Sequence, residues 1–248
     1  MSPEGTFWEH LEVLRWVIVR SLLVTVAFAV AAFCLKDWLF AVVLAPRSSE
    51  FVTFRLMGVE PFSIHLMNTG LTEQFMTHVK VALYVGLLCA APYVVYELFR
   101  FVSPGLYDQE RRAGRWVVTS ACTMFFLGTL LNYFLIFPLT VRFLGTYQVS
   151  ADVDNMLTLQ SYIDTLLTMS LVMGVIFELP ILCVILGRMG FINSRLMARY
   201  RRHAIVAILV VAAIITPTTD VFTLFIVALP IWLLYEVSIL LVGSGSRG

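Results

Sequence analysis

The sequence predicts an all-α integral membrane protein with six transmembrane helices, on three observations. Of its 248 residues, 60% are hydrophobic and only 13% are charged, whereas average globular chains carry about 25% charged residues. The hydrophobic residues form repeated runs of about 20, the length of helix that crosses a bilayer core of about 30 Å. The polar stretches between these runs are all shorter than a soluble domain of about 50 residues. The mean hydropathy of +0.89 points to the same class.

The two ends of the chain are predicted to lie outside this membrane domain. Residues 1–15 are expected to form a cytoplasmic amphipathic segment, in which Thr6 and Glu9 have the spacing of a helix capping box. Its acidic opening, MSPEGTFWEH, does not match a cleavable signal. Residues 16–242 are predicted to form the membrane domain, and residues 243–248, which contain GSGS, a flexible tail.

The six predicted spans follow the apolar runs. They are 16–35, 73–99, 115–139, 162–186, 204–215 and 221–242. The fifth contains 12 residues and makes only about 18 Å of helix, so the last two helices are predicted to be short. The polar stretch 36–70 contains Pro46 and Pro61, which interrupt regular structure. Within it, VTFRLMGV is predicted to form a short strand or an interfacial segment.

The distribution of Lys and Arg predicts the orientation. With six spans and a cytoplasmic N-terminus, twelve of the 17 Lys and Arg residues fall inside and five fall outside. This excess satisfies the positive-inside rule and places both termini in the cytoplasm. We interpret Arg111 and Arg112, at the end of SPGLYDQERR, mainly as part of this topological signal.

Glu178 is the candidate functional residue inside the membrane. It lies in the fourth predicted span, two residues before Pro180, where a carboxylate is costly and is a functional hypothesis by default. The plainer interpretation is a protonated side chain that bonds to a neighbouring helix. A proton-coupled small-solute transporter that uses Glu178 is the alternative function. That class predicts inverted repeats and helices broken near the midplane, and the sequence shows neither.

Enzyme chemistry has little support. The four cysteines lie in apolar runs without CxxC spacing, and HExxH, GxSxG and glycine-rich phosphate loops are absent from the sequence. We therefore expect no catalytic residue, no metal and no cofactor. No nucleic-acid partner is expected either.

Five segments together resemble a known family. They are FWEHLEVLR, KVALYVGLLCAAPYVVYELFRFVSPGLYDQERR, NYFLIFPL, GVIFELP and RYRRHAIVAILVVAAIITPTTDVFTLFIVALPIWLLYEVSIL. In this order, and nearly end to end, they resemble TatC, the polytopic subunit of the twin-arginine protein translocase.

The resemblance implies a curved, cup-like bundle of six helices in the cytoplasmic (inner) membrane. It also implies a receptor that binds twin-arginine signal peptides of folded precursor proteins at the cytoplasmic face. The implied partners are single-span TatA/TatB-type subunits, and several copies of the chain are expected within a larger complex. Export by this system is driven by the proton-motive force, without ATP.

The resemblance implies a signal-binding loop between the second and third spans. Glu110 matches the carboxylate that contacts the signal arginines, and Phe101 and Leu106 match positions that shape the same site. Pro104 and Tyr107 frame the loop.

Further positions match by the same resemblance. Arg15 matches the arginine of the N-terminal motif, and Glu178 matches a polar position of the fourth helix. Pro46 matches a proline of the first external loop. Pro180 and Asp220 belong to the matching motifs GVIFELP and TPTTDVF, as loop or structural residues.

One departure affects the N-terminal motif. The family has an acidic residue two positions before the arginine, and Val13 occupies that position here. On a helix, Glu12 points about 100° away from Val13, whereas Glu9, one turn earlier, points only about 40° away. Glu9 is therefore the better geometric substitute, and Glu12 is the alternative.

Overall fold

The structure, a computed structural model, describes the backbone of residues 3–58, 62, 64–102, 111–147, 156–216 and 220–245, and the side chains of 11–58, 62, 64–98, 101, 117–147, 156–216 and 220–243. Within these residues the chain is almost entirely helical. The helices are α1 (Pro3–Cys34), α2 (Lys36–Leu44), α3 (Val52–Met57), α4 (Glu73–Val102), α5 (Arg111–Leu131), α6 (Phe137–Thr146), α7 (Leu159–Ile176), α8 (Leu179–Arg188), α9 (Ser194–Arg199), α10 (Arg201–Ile215) and α11 (Val221–Gly245). Two strands, β1 (Leu66–Met67) and β2 (Leu157–Thr158), form one short parallel pair.

The helical membrane class is confirmed, but the predicted span count is not reached. In the described part of the chain, five helical stretches are long and apolar enough to cross a membrane. They are Leu11–Cys34, Glu73–Leu98, Val117–Thr146, Leu159–Arg188 and Val221–Gly243. The predicted fifth span corresponds to α10, whose 15 residues make about 22 Å of helix, less than the bilayer core of about 30 Å.

The prediction of two short final helices is right for α10 and wrong for α11. The last helix has 25 residues and contains Pro230 in its interior. The helix continues past this proline, because neighbouring groups in membrane proteins satisfy the backbone carbonyl that a proline leaves free.

The described residues divide into two compact units. Unit 1 comprises Met1–Leu39 and His78–Thr123, and unit 2 comprises Phe40–Thr77 and Met124–Gly248. Unit 1 is built on α1 and α4, and unit 2 on α6, α7, α8, α10 and α11.

In unit 1, α1 and α4 pack closely and run antiparallel. A Cβ atom on Gly86 would lie 2.6 Å from the backbone nitrogen of Ala29, so only glycine allows this approach. Further along α1, the ring of Phe33 stacks on His78 with centroids 4.0 Å apart. The contact further along α1 (Phe33 after Ala29) is made to an earlier residue of α4 (His78 before Gly86), which shows that the two helices run antiparallel.

Unit 2 has an apolar core between its long helices. The core residues are Ile136, Met169, Met173, Ile176, Phe177, Ile208, Ala212, Ile215, Val227, Ala228 and Ile231. One buried polar pair borders this core, where the Asn132 side-chain amide donates to the Ser170 hydroxyl at 2.7 Å. Asn132 and Ser170 are 0% and 2% exposed.

The third predicted span ends later than expected. We predicted its end at residue 139, but the helical path continues to Thr146. Residues Asn132–Ile136 form a π-helical segment between α5 and α6, and Pro138 then occupies the first turn of α6. A proline is tolerated there because the first turn has no need of its missing N–H.

Within the segment VTFRLMGV, Val52–Met57 form helix α3, so the short-strand alternative is wrong for these residues. Gly58 caps the helix with a φ of 61°, the left-handed conformation common after helix ends. The preceding segment carries α2 and a 3-10 turn, Ala45–Arg47.

Glu73, the first residue of α4, ties several segments of unit 2 together. Its Oε2 accepts hydrogen bonds from the backbone N–H groups of Thr69 and Gly70, both at 2.9 Å, and from the Thr69 hydroxyl at 3.1 Å. Its Oε1 accepts from the backbone N–H of Gln160 in α7 at 2.9 Å. This carboxylate therefore joins the starts of α4 and α7 next to the β1–β2 pair.

Candidate functional site

Three of the predicted signal-binding residues have described side chains, and they lie toward one end of unit 1. They are Glu12, Arg15 and Phe101. The contact between Ala29 and Gly86 gives a common reference level on the antiparallel α1 and α4. Arg15 lies 14 residues before Ala29, and Phe101 lies 15 residues after Gly86. At 1.5 Å per residue, each lies about 21–23 Å from the contact and in the same direction. Arg15 and Phe101 therefore lie at the same level of unit 1.

The α1 side of this end presents polar groups to the surroundings. Glu12 and Arg15 are both exposed, and no ion pair joins them in the described part of the chain. Val13, at the position of the missing acid, is 51% exposed. Residues Pro3–Cys34 form one continuous helix, as the comparison of Glu9 with Glu12 assumed.

The α4 side contains a buried carboxylate. Glu97 is only 4% exposed, and the Tyr93 hydroxyl donates to its Oε1 at 3.1 Å. Phe101, four residues further along α4, lies on the same helical face and is half-buried. The spacing of Tyr93 and Glu97, one helical turn, was the sequence signal for this pair.

Several predicted residues cannot be placed in this geometry. Pro104, Leu106, Tyr107 and Glu110 lie outside the described residues, as does the side chain of Glu9.

Glu178 lies at a kink in unit 2, between α7 and α8. Helix α7 ends at Ile176, and α8 begins at Leu179 with the buried Pro180 in its first turn. Proline has no N–H to donate to the carbonyl of Ile176, four residues earlier, so the helix ladder is interrupted here. Both residues of the turn keep right-handed helical angles, and Leu182 N–H still donates to the Glu178 carbonyl at 3.0 Å.

The Glu178 side chain is half-buried, and its Oε1 is shielded from solvent without a hydrogen-bond partner in the structure. Its neighbour Phe177 is buried in the core of unit 2 and packs against α5. A Cβ on Gly128 would lie 2.8 Å from Phe177 Cγ and 2.6 Å from the Met173 carbonyl oxygen. The close approach of α5 to α7 thus positions the kink that carries Glu178.

The remaining predicted loop residues have structural surroundings. Pro46 is buried within the 3-10 turn of unit 2. Asp220 directly precedes α11, and its Oδ1 accepts a hydrogen bond from the backbone N–H of Thr223 at 2.7 Å. It therefore caps the start of the last helix.

The residues that the structure describes contain no candidate metal site. Among them, no group of three or more His, Cys, Asp or Glu side chains is arranged to hold a metal ion. What the described site offers chemically is exposed charge, one buried carboxylate and a half-buried aromatic ring.

Comparisons with known proteins agree with one another. The family profile "Sec-independent protein translocase protein (TatC)" matches residues 9–230. The chain is 35% identical to Sec-independent protein translocase protein TatC of Deinococcus radiodurans, over 94% of this chain and 84% of that protein. It is 32% identical to the protein of the same name from Aquifex aeolicus, over 94% and 92% of the two chains.

A solved structure supports the same assignment. The crystal structure of a twin-arginine translocase receptor, TatC, superposes with a TM-score of 0.78 at 30% identity, and the match covers 94% of this chain and 97% of that one. The chain therefore belongs to the TatC family of Sec-independent protein translocase proteins, which are membrane translocase components and not enzymes.

Proposed function

We propose that this chain is the receptor subunit that binds twin-arginine signal peptides of folded proteins at the cytoplasmic face of the membrane. The observation that carries the proposal is the common level of Arg15 and Phe101 at one end of unit 1. The exposed Glu12 and the buried Glu97 lie within a few helical turns of that level. A solved relative is itself named a twin-arginine translocase receptor.

Glu110 is the proposed reader of the signal arginines, together with Glu9 or Glu12 in place of the acid missing at Val13. A carboxylate accepts two parallel hydrogen bonds from the planar guanidinium of arginine. Lysine offers only a point charge. Replacing the arginine pair of a signal by lysines is therefore expected to weaken binding.

Recognition in this proposal has two parts. An exposed ion pair contributes about 0.2–1 kcal/mol, so two such pairs give at most about 2 kcal/mol. Micromolar affinity needs about 8 kcal/mol. The remainder must come from the apolar segment of the signal, which gains about 25 cal/mol for each Å² that it buries. Phe101 and Leu106 are the proposed apolar contacts next to the charged ones.

The same proposal includes the membrane topology of the receptor, its partner subunits and the energy source for export. Both termini lie in the cytoplasm, in keeping with the Lys and Arg distribution. The chain assembles in several copies with single-span TatA/TatB-type subunits, and the proton-motive force drives export.

Site-specific photo-crosslinking tests the receptor role. A photoreactive residue at position 101 is expected to crosslink a precursor with an intact arginine pair, and to crosslink its twin-lysine version more weakly. Glu110→Gln should reduce crosslinking at position 101, because it removes a charge that the signal arginines contact.

Glu50→Gln is the matched control. Glu50 is exposed and lies in unit 2, so the same chemical change there should leave crosslinking intact. Crosslinking from position 101 that is as strong in Glu110→Gln as in Glu50→Gln would contradict the role of Glu110.

The transporter alternative gains little from the structure. A transporter site of the broken-helix type has unwound backbone at its centre. The interruption at Glu178 is instead a proline kink whose residues keep helical angles.

A further inference from the structure

One segment of unit 2 lies against the π-helical segment between α5 and α6. This segment, residues 40–58, is called the strap, and it contains the end of α2, the 3-10 turn and α3. The ring of Phe51 meets Tyr133 edge-on with centroids 5.5 Å apart, and it stacks on Phe134 at 5.8 Å. Phe51 and Phe54 are 7% and 1% exposed, so this side of the strap faces the interior of unit 2.

Pro46 leaves two backbone carbonyls of the strap without helical donors. A carbonyl in an α-helix bonds to the N–H four residues later, and in a 3-10 turn to the N–H three residues later. Pro46 is the fourth residue after Val42 and the third after Val43, and it has no N–H. Tyrosine hydroxyls of the facing helices occupy both carbonyls. Tyr133 donates to the Val42 carbonyl at 2.6 Å, and Tyr162 donates to the Val43 carbonyl at 3.2 Å.

Pro138 produces the reverse arrangement on the facing side. A regular α-helix would bond the Phe134 carbonyl to the N–H of residue 138, which is a buried proline. The Thr53 hydroxyl, in α3 of the strap, donates to this carbonyl instead. Each side therefore has a proline that frees a carbonyl, and each side supplies a hydroxyl to a carbonyl of the other side.

The closed position of the strap retains an unsatisfied polar atom beneath it. Asn132 precedes Tyr133 in the π-helical segment and is 0% exposed. Its Oδ1 accepts no hydrogen bond from the residues that the structure describes. A buried acceptor without a donor is destabilising, and water would satisfy it. Movement of the strap away from Tyr133 would bring water closer to this atom, so the bonds at the two prolines oppose opening.

We propose that the strap is a lid on the π-helical segment, locked by the hydroxyls that bind the carbonyls freed by Pro46 and Pro138. Tyr133, Tyr162 and Thr53 act as positioning residues that hold the lid closed. The plainer account gives the prolines only a steric role, at a turn and at the start of α6. The inference does not depend on the proposed signal-peptide receptor function.

Hydrogen exchange in α3 measures the opening of the lid. This helix has six residues, and a helix of that length is not stable on its own. The amides of Phe54 and Arg55, which donate to the Phe51 carbonyl, are therefore protected only while the strap is closed. The measurement uses the full chain in detergent and mass spectrometry of peptides from residues 51–58. In the wild type these amides should exchange faster than those of α7, because a lid opens without unfolding unit 2.

Tyr133→Phe and its combination with Pro46→Ala separate the two accounts. Tyr133→Phe leaves the Val42 carbonyl without a donor and should accelerate exchange in α3 about ten-fold or more. Leu44 keeps right-handed helical angles, so the N–H that Pro46→Ala introduces points back toward Val42. The double variant should therefore recover most of the lost protection. A purely steric proline would instead make the double variant exchange faster still.

The matched control for the tyrosine is Tyr96→Phe. Tyr96 is 49% exposed and lies on α4 in unit 1, so the same loss of a hydroxyl there should leave exchange in α3 unchanged.

A second pair of variants tests the facing proline independently. Thr53→Val removes the hydroxyl that donates to the Phe134 carbonyl, and it should accelerate exchange in α3 to a similar extent. Pro138→Ala restores an N–H four residues after Phe134, so the double variant should regain protection. Thr53→Ser keeps the hydroxyl and is the control.

Three results would overturn the proposal. One is a Tyr133→Phe/Pro46→Ala variant that exchanges as fast as Tyr133→Phe, or faster. Another is a Tyr133→Phe variant that exchanges no faster than Tyr96→Phe. The third is a wild-type chain in which the α3 amides exchange as slowly as those of α7, because the strap then opens only when unit 2 unfolds. If Tyr133→Phe does not fold, Thr53→Val with and without Pro138→Ala decides by the same criteria.

Discussion

Gly128→Ala tests the packing that positions Glu178. In the structure, a Cβ at this position would lie 2.6 Å from the Met173 carbonyl oxygen and 2.8 Å from Phe177 Cγ. Favourable contacts between heavy atoms lie at about 3.5–4.0 Å, so the new methyl group is about 1 Å too close. The Phe177 ring can rotate, but the Met173 oxygen belongs to the backbone of α7 and cannot. The helices α5 and α7 must therefore separate locally.

The expected destabilisation follows from two opposing effects. Overpacking of a close contact costs about 1–3 kcal/mol, and alanine is better than glycine inside a helix by about 1 kcal/mol. Because the clash is with a backbone oxygen, the overpacking cost lies in the upper part of its range, at about 2–3 kcal/mol, and the expected net loss is about 1–2 kcal/mol. For a chain of this size, each kcal/mol lowers the Tm by about 2–4 °C, so the variant should unfold about 2–8 °C below the wild type.

Thermal unfolding of the full chain in detergent, followed by tryptophan fluorescence, measures this shift. Gly243→Ala in α11 is the matched control, because its Cβ would meet the nearest atoms, in Ser194, at an ordinary distance of 3.4 Å. Its Tm should be unchanged or slightly higher. A Gly128→Ala variant as stable as Gly243→Ala would refute the close contact of α5 with α7.

Two further predictions concern polar contacts in unit 2. Glu73→Gln should accelerate amide hydrogen exchange at Gln160 about ten-fold or more, because the new amide group cannot accept the Gln160 N–H while its oxygen serves the other donors. If the Gln160 amide exchanges as slowly in Glu73→Gln as in the exposed control Glu50→Gln, the hydrogen bond between Glu73 and Gln160 is contradicted. Ser170→Ala removes the acceptor of the buried Asn132 amide, a bond worth about 1 kcal/mol inside a membrane. The Tm in detergent should fall by about 2–4 °C, and an unchanged Tm would argue against this bond.

Hydropathy was a good guide to the positions of the long helices and a poor guide to their interruptions. An apolar run has the same mean hydropathy whether its helix is straight, kinked or locally π-helical. The π-helical segment at Asn132–Ile136 therefore could not be predicted from the apolar runs of the sequence. The kink at Glu178 arises because Pro180 has no N–H. The sequence shows this proline, but whether a proline bends its helix depends on the packing around it.

Candidate site residues were predictable where they follow from local spacing. Tyr93 and Glu97 are one helical turn apart, and their hydrogen bond is local. The role of Glu73 was not predictable, because its partner Gln160 lies 87 residues away. The burial of Glu97 likewise depends on the packing of neighbouring segments, which local spacing does not reveal.

The bond from Glu73 to Gln160 also sets an order of events during biosynthesis. Strands β1 and β2 are parallel, so the chain between them must leave this end and return to it before they can pair. At about 5–20 residues per second of synthesis, the 87 residues between Glu73 and Gln160 take about 4–17 s to emerge. Until then the hydrogen-bond acceptors of Glu73 lack the Gln160 donor. This end therefore cannot close before Gln160 has been synthesised, and a nascent chain arrested before residue 157 should leave it accessible to protease.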